Sequence, residues 1–427
     1  LEAGGWAAPE LSAANQDYLD RNRRGWTARF RNTDDAFGYQ FEWITNAYFQ
    51  SLYTGETHSA NLDLSFDWLL LQATPDGAPL GYNHPNQPSL AGIAYLGARL
   101  DADPSLPWLA VRALEGATAA GKPIAAQPGA EQAVSVVGRS PTIGSCLLYG
   151  DSGLPNQVGP LAPDKIVFRD GWRGDDTYLL LNLRFTGWHR YKATNTITLV
   201  YKGGALASDV LEGKPFDWLP EGRSVFRDKR IPRENLNGLL VPRRGIDGVL
   251  YPLTGLGGSW AQDPPAYAKV ETFETGETLD WSHTQMLDWE GWQHDRWIYL
   301  YHQSGPLIIV DRASGPENSH AALAWHLIGT DSAHDARVEF QNDVGATEVV
   351  LMAKEGSWSD QSSPAETAGD GFQDMIYYSP TGGQLWTVTV FLMDEWLGAR
   401  VDIDREWSNL GIVQGDAQIT LRLPDGE

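Results

Sequence analysis

Four consecutive residues, His189, Arg190, Tyr191 and Lys192, put a proton-transfer pair and two cations in one short segment. Along an extended strand alternate side chains share a face, so His189 and Tyr191 point one way and Arg190 and Lys192 the other. An imidazole titrates near neutral pH and can give or take a proton there. A phenol, with an ordinary pKa of about 10, needs nearby positive charge before it acts as a base. Trp188 precedes the pair and offers a flat apolar face. The plain alternative for His189 is a histidine hydrogen-bonded in a core. A second group, Tyr82-Asn83-His84, lies in the Pro- and Gly-rich stretch from Thr74 to Ser89, and reads equally as a turn. Arg223, Arg227, Lys229, Arg230, Arg233, Arg243 and Arg244 fall within 22 positions, with Tyr251 downstream. That stretch is either an anion-binding rim or a solvated loop.

The elements that must hold these residues fall into two kinds. Between about Asn15 and Gly121 the pattern is helical. Ala36–Tyr53 has apolar or aromatic residues at 37, 41, 44, 48 and 52, one helical face, and His58–Gln72, Leu90–Leu100 and Pro104–Ala120 read as further helices. Tyr39, Trp43 and Tyr48 lie close to one face of the first, where core packing explains them best. After Gly129 short segments rich in Val, Ile, Tyr, Trp and Thr follow one another, separated by turn residues. They include Lys165–Arg169, Thr177–Arg184, Thr196–Tyr201, Arg296–Tyr301, Leu307–Val310, Ala321–Ile328 and Leu385–Phe391. No helix of useful length interrupts them, so they predict antiparallel sheets in a large β-sandwich. The class is α+β multidomain, with residues 1–125 helical, 126–163 a linker and 164–427 the sandwich.

Composition narrows the chemistry. The 427 residues carry 32 Lys and Arg against 55 Asp and Glu, a formal net charge of −23, which repels polyphosphate and argues against nucleic acid. The lone Cys146 excludes a disulfide framework and a cysteine metal site. His283, His294 and His302 lack zinc spacing, Asp402 and Asp404 are weak evidence for calcium, and Gly144-Ser145-Cys146 is no nucleophile elbow. Neither a metal nor another cofactor is expected. There is no run of eighteen apolar residues. Eighteen Trp are more than a core of this size needs, and some suit clefts where aromatic faces stack on sugar rings. The chain opens Leu1-Glu2 without a signal-like segment, so its targeting is unreadable; acidity, Trp content and the single Cys suit an exported bacterial protein, extracellular or periplasmic.

From Val167 the sequence runs VFRDGWRGDDTYLLLNLRFTGWHRYKATNTITLVYKGGALASD. This resembles the start of the C-terminal β-domain of the heparinase II/III-like polysaccharide lyases, where a His-x-His-x-Asp element opens a strand followed by a Gly turn and an Asp. His189, Ile197, Leu199, Gly203 and Asp209 match that pattern. The stretch His294–Gly315 is similar to the domain's middle strands, and Pro75-Asp76-Gly77 to a loop after the helices of its α/α toroid. The resemblance implies a partial α/α toroid ahead of the sandwich. Tyr191 and Ala193 stand where the family has its second His and its Asp, so this element supplies one metal ligand at most.

The resemblance further implies a lyase that removes the C5 proton of a uronic acid and expels the C4 oxygen. His189 and Tyr191, with Tyr82 or His84, then carry the proton transfers, and Asn83 and His84 neutralise the substrate carboxylate. Trp188, Arg190, Arg243, Arg244 and Tyr251 are the expected substrate contacts. The partner is a polysaccharide. Two alternatives stay open: a non-catalytic carbohydrate-binding or structural protein, assembled as a homo-oligomer, and a glycoside hydrolase using Glu42, Asp76 or Asp209 as paired carboxylates.

Overall fold

A computed structural model describes residues 13–18, 20–21, 41–42, 44–46, 48–49, 60–78, 90–99, 103–119, 138–150, 162–184, 193–209, 233–243, 260–328, 333–334, 337–342, 345–360, 372–380 and 382–424. The chain divides into two compact units, Leu1–Pro141 with Tyr149–Gly153, and Thr142–Leu148 with Leu154–Glu427.

The first unit is helical. Its described elements are α1 (Ala60–Gln72), α2 (Ala91–Arg99) and α3 (Leu106–Ala119), with helical residues also at 13–18 and between 41 and 49. In that last stretch Ile44 and Tyr48 are buried and Glu42 is exposed, the face the apolar spacing predicts. Small residues set the close approaches. A Cβ on Gly97 of α2 would lie 2.7 Å from both the Phe66 ring of α1 and Leu106 of α3. Thr74-Pro75-Asp76-Gly77 forms a turn closed by the Gly77 N–H donating to Thr74 O at 2.8 Å. Gly77 has φ +77°, and a Cβ there would meet the Ala113 nitrogen at 2.6 Å. Arg112 Nε donates to Pro75 O at 3.0 Å, so the turn is bound to α3. A closed toroid is not evident among the described residues.

The second unit is almost all antiparallel β. One sheet runs β1 (Cys146–Leu148), β2 (Lys165–Arg169), β3 (Thr177–Asn182), β4 (Thr196–Lys202), β5 (Ala205–Ser208), β11 (Ala322–Ile328), β16 (Phe372–Tyr378), β15 (Trp358–Asp360), and β6 (Gly238–Leu240) also pairs with β11. A second runs β12 (Ala333–His334), β13 (Arg337–Asn342), β14 (Gly345–Ala353), β17 (Gln384–Met393), β10 (Leu307–Ser314), β9 (Trp292–Tyr301), β8 (Leu279–Trp289), β7 (Lys269–Glu274). A third holds β18 (Arg400–Ile403), β19 (Asn409–Gln414) and β20 (Ala417–Arg422).

The period-2 alternation of strands explains how the second sheet can serve two cores. Leu307, Ile309, Ile298, Leu300 and Phe391 pack with Ile166, Phe168, Leu179 and Leu181 of the first sheet. The intervening residues Ile308, Val310, Val388 and Val390 pack on Leu410 and Ile412 of the third. The result is a β-sandwich whose central sheet is covered on both sides.

Candidate functional site

The segment bearing His189 and Tyr191 joins β3 to β4, and both of its ends are anchored. At the exit of β3, Arg184 Nη1 bonds Asp164 Oδ1 at 2.6 Å and residue 184 forms a bridge with Tyr267. At the entry to β4, Thr196 N donates to Ala193 O at 3.0 Å, and Thr194 Oγ1 donates to Pro265 O at 2.7 Å. Asn195 sits in the left-handed region at φ +56°. Two arginines without solvent exposure hold this turn from beneath. Arg233 Nη1 donates to Thr194 O at 3.0 Å, and Arg296 Nη1 to Asn195 O at 3.0 Å. Each turn carbonyl so receives a charge-assisted bond, stronger than a neutral one.

Below the turn lies a polar network inside the apolar core. Thr284, Arg296 and Asp311 are direct cross-strand partners on β8, β9 and β10, on the face that carries Met286, Ile298 and Ile309. Asp311 Oδ1 accepts from Arg296 Nε at 2.7 Å and faces His294 Nε2 at 2.8 Å. The Asn195 amide completes it: Oδ1 accepts from Thr284 Oγ1 at 2.7 Å and Nδ2 lies 3.1 Å from His294 Nδ1. Those roles assign the imidazole as neutral, with its proton on Nε2. Burial lowers the His294 pKa in spite of the Asp311 bond. Burial pushes Asp311 the other way, but the Arg296 charge and the His294 bond hold it below the ordinary carboxylate value. This network fixes the entry to β4, and being wholly buried it cannot itself touch substrate.

A second cluster ties the β2–β3 loop and the β9–β10 loop to the start of β8. His302 Nδ1 lies 3.0 Å from Asp170 Oδ1 and its Nε2 3.1 Å from Asp280 Oδ1. The N–H groups of Gln303 and Ser304, both at positive φ, donate to the Asp170 carboxylate at 3.1 Å. Partial burial works against protonation of His302, but the two carboxylates raise its pKa overall. On β2, burial lowers the Arg169 guanidinium to about 10, and its carbon stands 3.6 Å over the Trp172 ring. Burial likewise pushes the neighbouring Cys146 thiol up to about 11, so it is no nucleophile near neutral pH.

Comparison with solved structures decides what this architecture is. A heparinase III gene product superposes with a TM-score of 0.66 over 97% of this chain, at 13% identity. The fold is that of the heparinase III structures. Heparan sulfate lyase HepC from Pedobacter heparinus matches over 95% of the chain with TM-score 0.62 and 14% identity, and a further heparinase III structure over 95% with TM-score 0.62 and 11% identity. The chain spans 61–62% of the length of these three structures. No family model and no curated protein sequence matches it.

Within this heparinase III fold most of the sequence-predicted site residues, Tyr82, Asn83, His84, Trp188, His189, Arg190, Tyr191, Arg244 and Tyr251, lie outside the described residues. Arg243 is half-buried, and its Nε donates to Trp260 O at 3.2 Å. Arg233, read from sequence within a stretch that was either an anion-binding rim or a solvated loop, is instead turned into the core. Of the carboxylates considered for hydrolysis, Asp76 accepts from Thr74 Oγ1 and the Ala78 N–H in its own turn, and Asp209 is buried. Asp404 is taken up in a turn, accepting from the Ser408 N–H at 2.7 Å. No group of three or more His, Cys, Asp or Glu among the described residues is placed to hold a metal. No described helix is long and apolar enough to cross a membrane.

Sequence reasoning missed the buried network. Its signal was present in β8, where Asp280, Ser282 and Thr284 alternate with half-buried residues yet are themselves buried. Polar residues on an inward face need partners of comparable polarity.

Proposed function

We propose that this chain is a polysaccharide lyase that cleaves an acidic, uronate-containing glycan by β-elimination without a metal. The observation that carries the reading is the match over 95–97% of the chain to heparinase III and heparan sulfate lyase structures. The helical unit stands, in this proposal, as the end of an α/α toroid, and the protein acts outside the cytoplasm, where such glycans occur.

The elimination assigns roles to individual side chains. Tyr191 or His189 takes the C5 proton, and the electron pair left behind forms the C4=C5 double bond. The C4–O bond breaks, and Tyr82 or His84 returns a proton to the departing oxygen. Asn83, with His84 where Tyr82 is the acid, neutralises the carboxylate, which stabilises the carbanion-like transition state. Lys192 and Arg190 supply the positive charge that a phenolate base needs. The paired arginines under Thr194 and Asn195 serve this reading by fixing where the strand re-enters the sheet.

The test is to incubate the chain with heparan sulfate, hyaluronan and alginate and follow the absorbance of unsaturated uronate. Appearance of that chromophore on any of them is expected. His189→Ala should lower the rate by about 100-fold or more, the ordinary contribution of a general acid or base, with an unchanged melting temperature. New reducing ends without the chromophore would replace the lyase with a hydrolase. Silence on every glycan would leave a binding protein on a lyase fold.

A further inference from the structure

On the face of the second sheet that points away from the first, three residues form one transverse row. Arg312 of β10 pairs directly with Trp386 of β17, and the Lys354 N–H, just beyond β14, donates to Trp386 O at 3.0 Å. The Lys354 ammonium stands 4.2 Å and the Arg312 guanidinium 4.6 Å from the Trp386 ring centre. A turn of the third sheet closes the other side. Its Trp407 meets the Trp386 ring edge-on at 5.6 Å. Between the two walls is a cavity of about 310 Å³, lined also by Gln384, Glu406 and Ser408. That volume is at the lower end of small-molecule sites, about 300–1,000 Å³.

The backbone here is unusual. Trp407 is held at φ +57°, a region that a bulky side chain rarely occupies. The turn around it is fixed by Asp404, whose carbonyl accepts from the Trp407 N–H at 3.0 Å and whose carboxylate accepts from Ser408 N and Asn409 Nδ2. Residues kept in such conformations cluster at ligand-binding sites, where the surroundings over-determine them. In this turn they hold a half-exposed indole at the mouth of a cationic pocket.

We infer that this pocket binds an acidic sugar unit, with its ring against Trp407 and its carboxylate or sulfate toward Lys354 and Arg312. Two cations, one on β10 and one just past the end of β14, select an anion, and the indole selects a ring with an apolar face. Gln384 and Ser408 can hydrogen-bond sugar hydroxyls. Glu406 at the rim repels a second charge, which favours a single anionic group over a phosphate chain. The site lies on strands other than the β3–β4 connection and would hold a long glycan while another part is cleaved. The inference rests on the lyase reading only for the choice of glycan.

Binding is tested by calorimetric titration of the His189→Ala chain, which leaves the probe intact, with a heparan sulfate tetrasaccharide and a hyaluronan tetrasaccharide. Lys354→Glu and Trp407→Ala, each added to that background, should weaken the affinity for at least one tetrasaccharide about tenfold, the loss of one charge-assisted or stacking contact. Lys354→Arg should retain it. Lys354 is exposed, so its variants preserve the fold, which the melting temperature checks. Affinities unchanged in both weakening variants, no binding of either tetrasaccharide, or equal binding of a neutral cellotetraose or of AMP would each overturn the assignment. Absence of unsaturated uronate from the wild-type chain defeats the lyase reading alone, and unchanged affinities defeat the pocket alone.

Discussion

His294 carries its proton on Nε2 because its neighbours leave it no other choice: a carboxylate on one side and an amide N–H on the other. The same logic runs through Asp311, which accepts from both Arg296 and His294 within a core that offers no water-exposed alternative. Removing one partner from such a set leaves a buried charge uncompensated. Asp311→Ala should therefore destabilise the β unit by about 3–5 kcal/mol in urea denaturation. A loss under about 1 kcal/mol would show that the network contributes little beyond packing. Acid should act through the same residues. Both His294 and Asp311 have folded pKa values below their ordinary ones, so their contribution is complete above about pH 6.5 and shrinks as pH falls. His302 runs the opposite way. Its raised pKa makes its ion pairs most stabilising below about pH 6.5, with the contribution lost as pH rises through the folded value.

At the level of elements, what the sequence disclosed follows from how directly burial is written in apolar residues. Lys165–Arg169 reads as a strand and is one, with the same limits, because Ile166, Val167 and Phe168 are apolar on both faces. β8 was not legible, since its inward positions hold Asp280, Ser282 and Thr284 and its outward ones include Leu279 and Trp281. The inversion makes physical sense only once the partners on β9 and β10 are known. Of the third sheet, β20 was legible, since Gln418–Leu423 reads as a strand, but β18 was not, because it carries Arg400 and Asp402 in four residues. His189 and Tyr191 are named from residue type alone and lie outside the described residues, while the buried arginines that hold the flank of their segment were not legible, because an Arg in a sequence looks like surface. Turns were the opposite case. Pro75-Asp76-Gly77 announces a tight turn, and Gly77 is required there twice, by its φ of +77° and by the nearness of Ala113. Gly116 of α3 completes the fit, since a Cβ on it would lie 2.5 Å from Asp76 O. Gly77→Ala should destabilise the helical unit by about 1–3 kcal/mol, seen as a lower melting temperature of the chain. An unchanged melting temperature would mean that α3 and the turn separate easily.

For the molecule as a whole the governing fact is a formal net charge of −23 set against the polyanionic substrate proposed for it. Long-range repulsion and local attraction then respond to salt in opposite directions. At about 0.01 M salt the screening length is about 30 Å, so the glycan meets the field of the entire protein; at about 0.15 M it is about 8 Å, and only nearby charges act. Approach is slowest in the first condition, where the negative surface is felt before any basic residue is reached. Contacts such as those proposed at Lys354 and Arg190 weaken only when salt screens across a few ångströms. The proposed lyase should therefore show kcat/KM on a long uronate polymer that rises from about 0.01 M to about 0.1 M salt and falls beyond it. Initial rates over a sodium chloride series measure this directly. A monotonic fall from the lowest salt would mean that a basic surface near the site dominates the approach, and that the acidic residues lie where the glycan never passes.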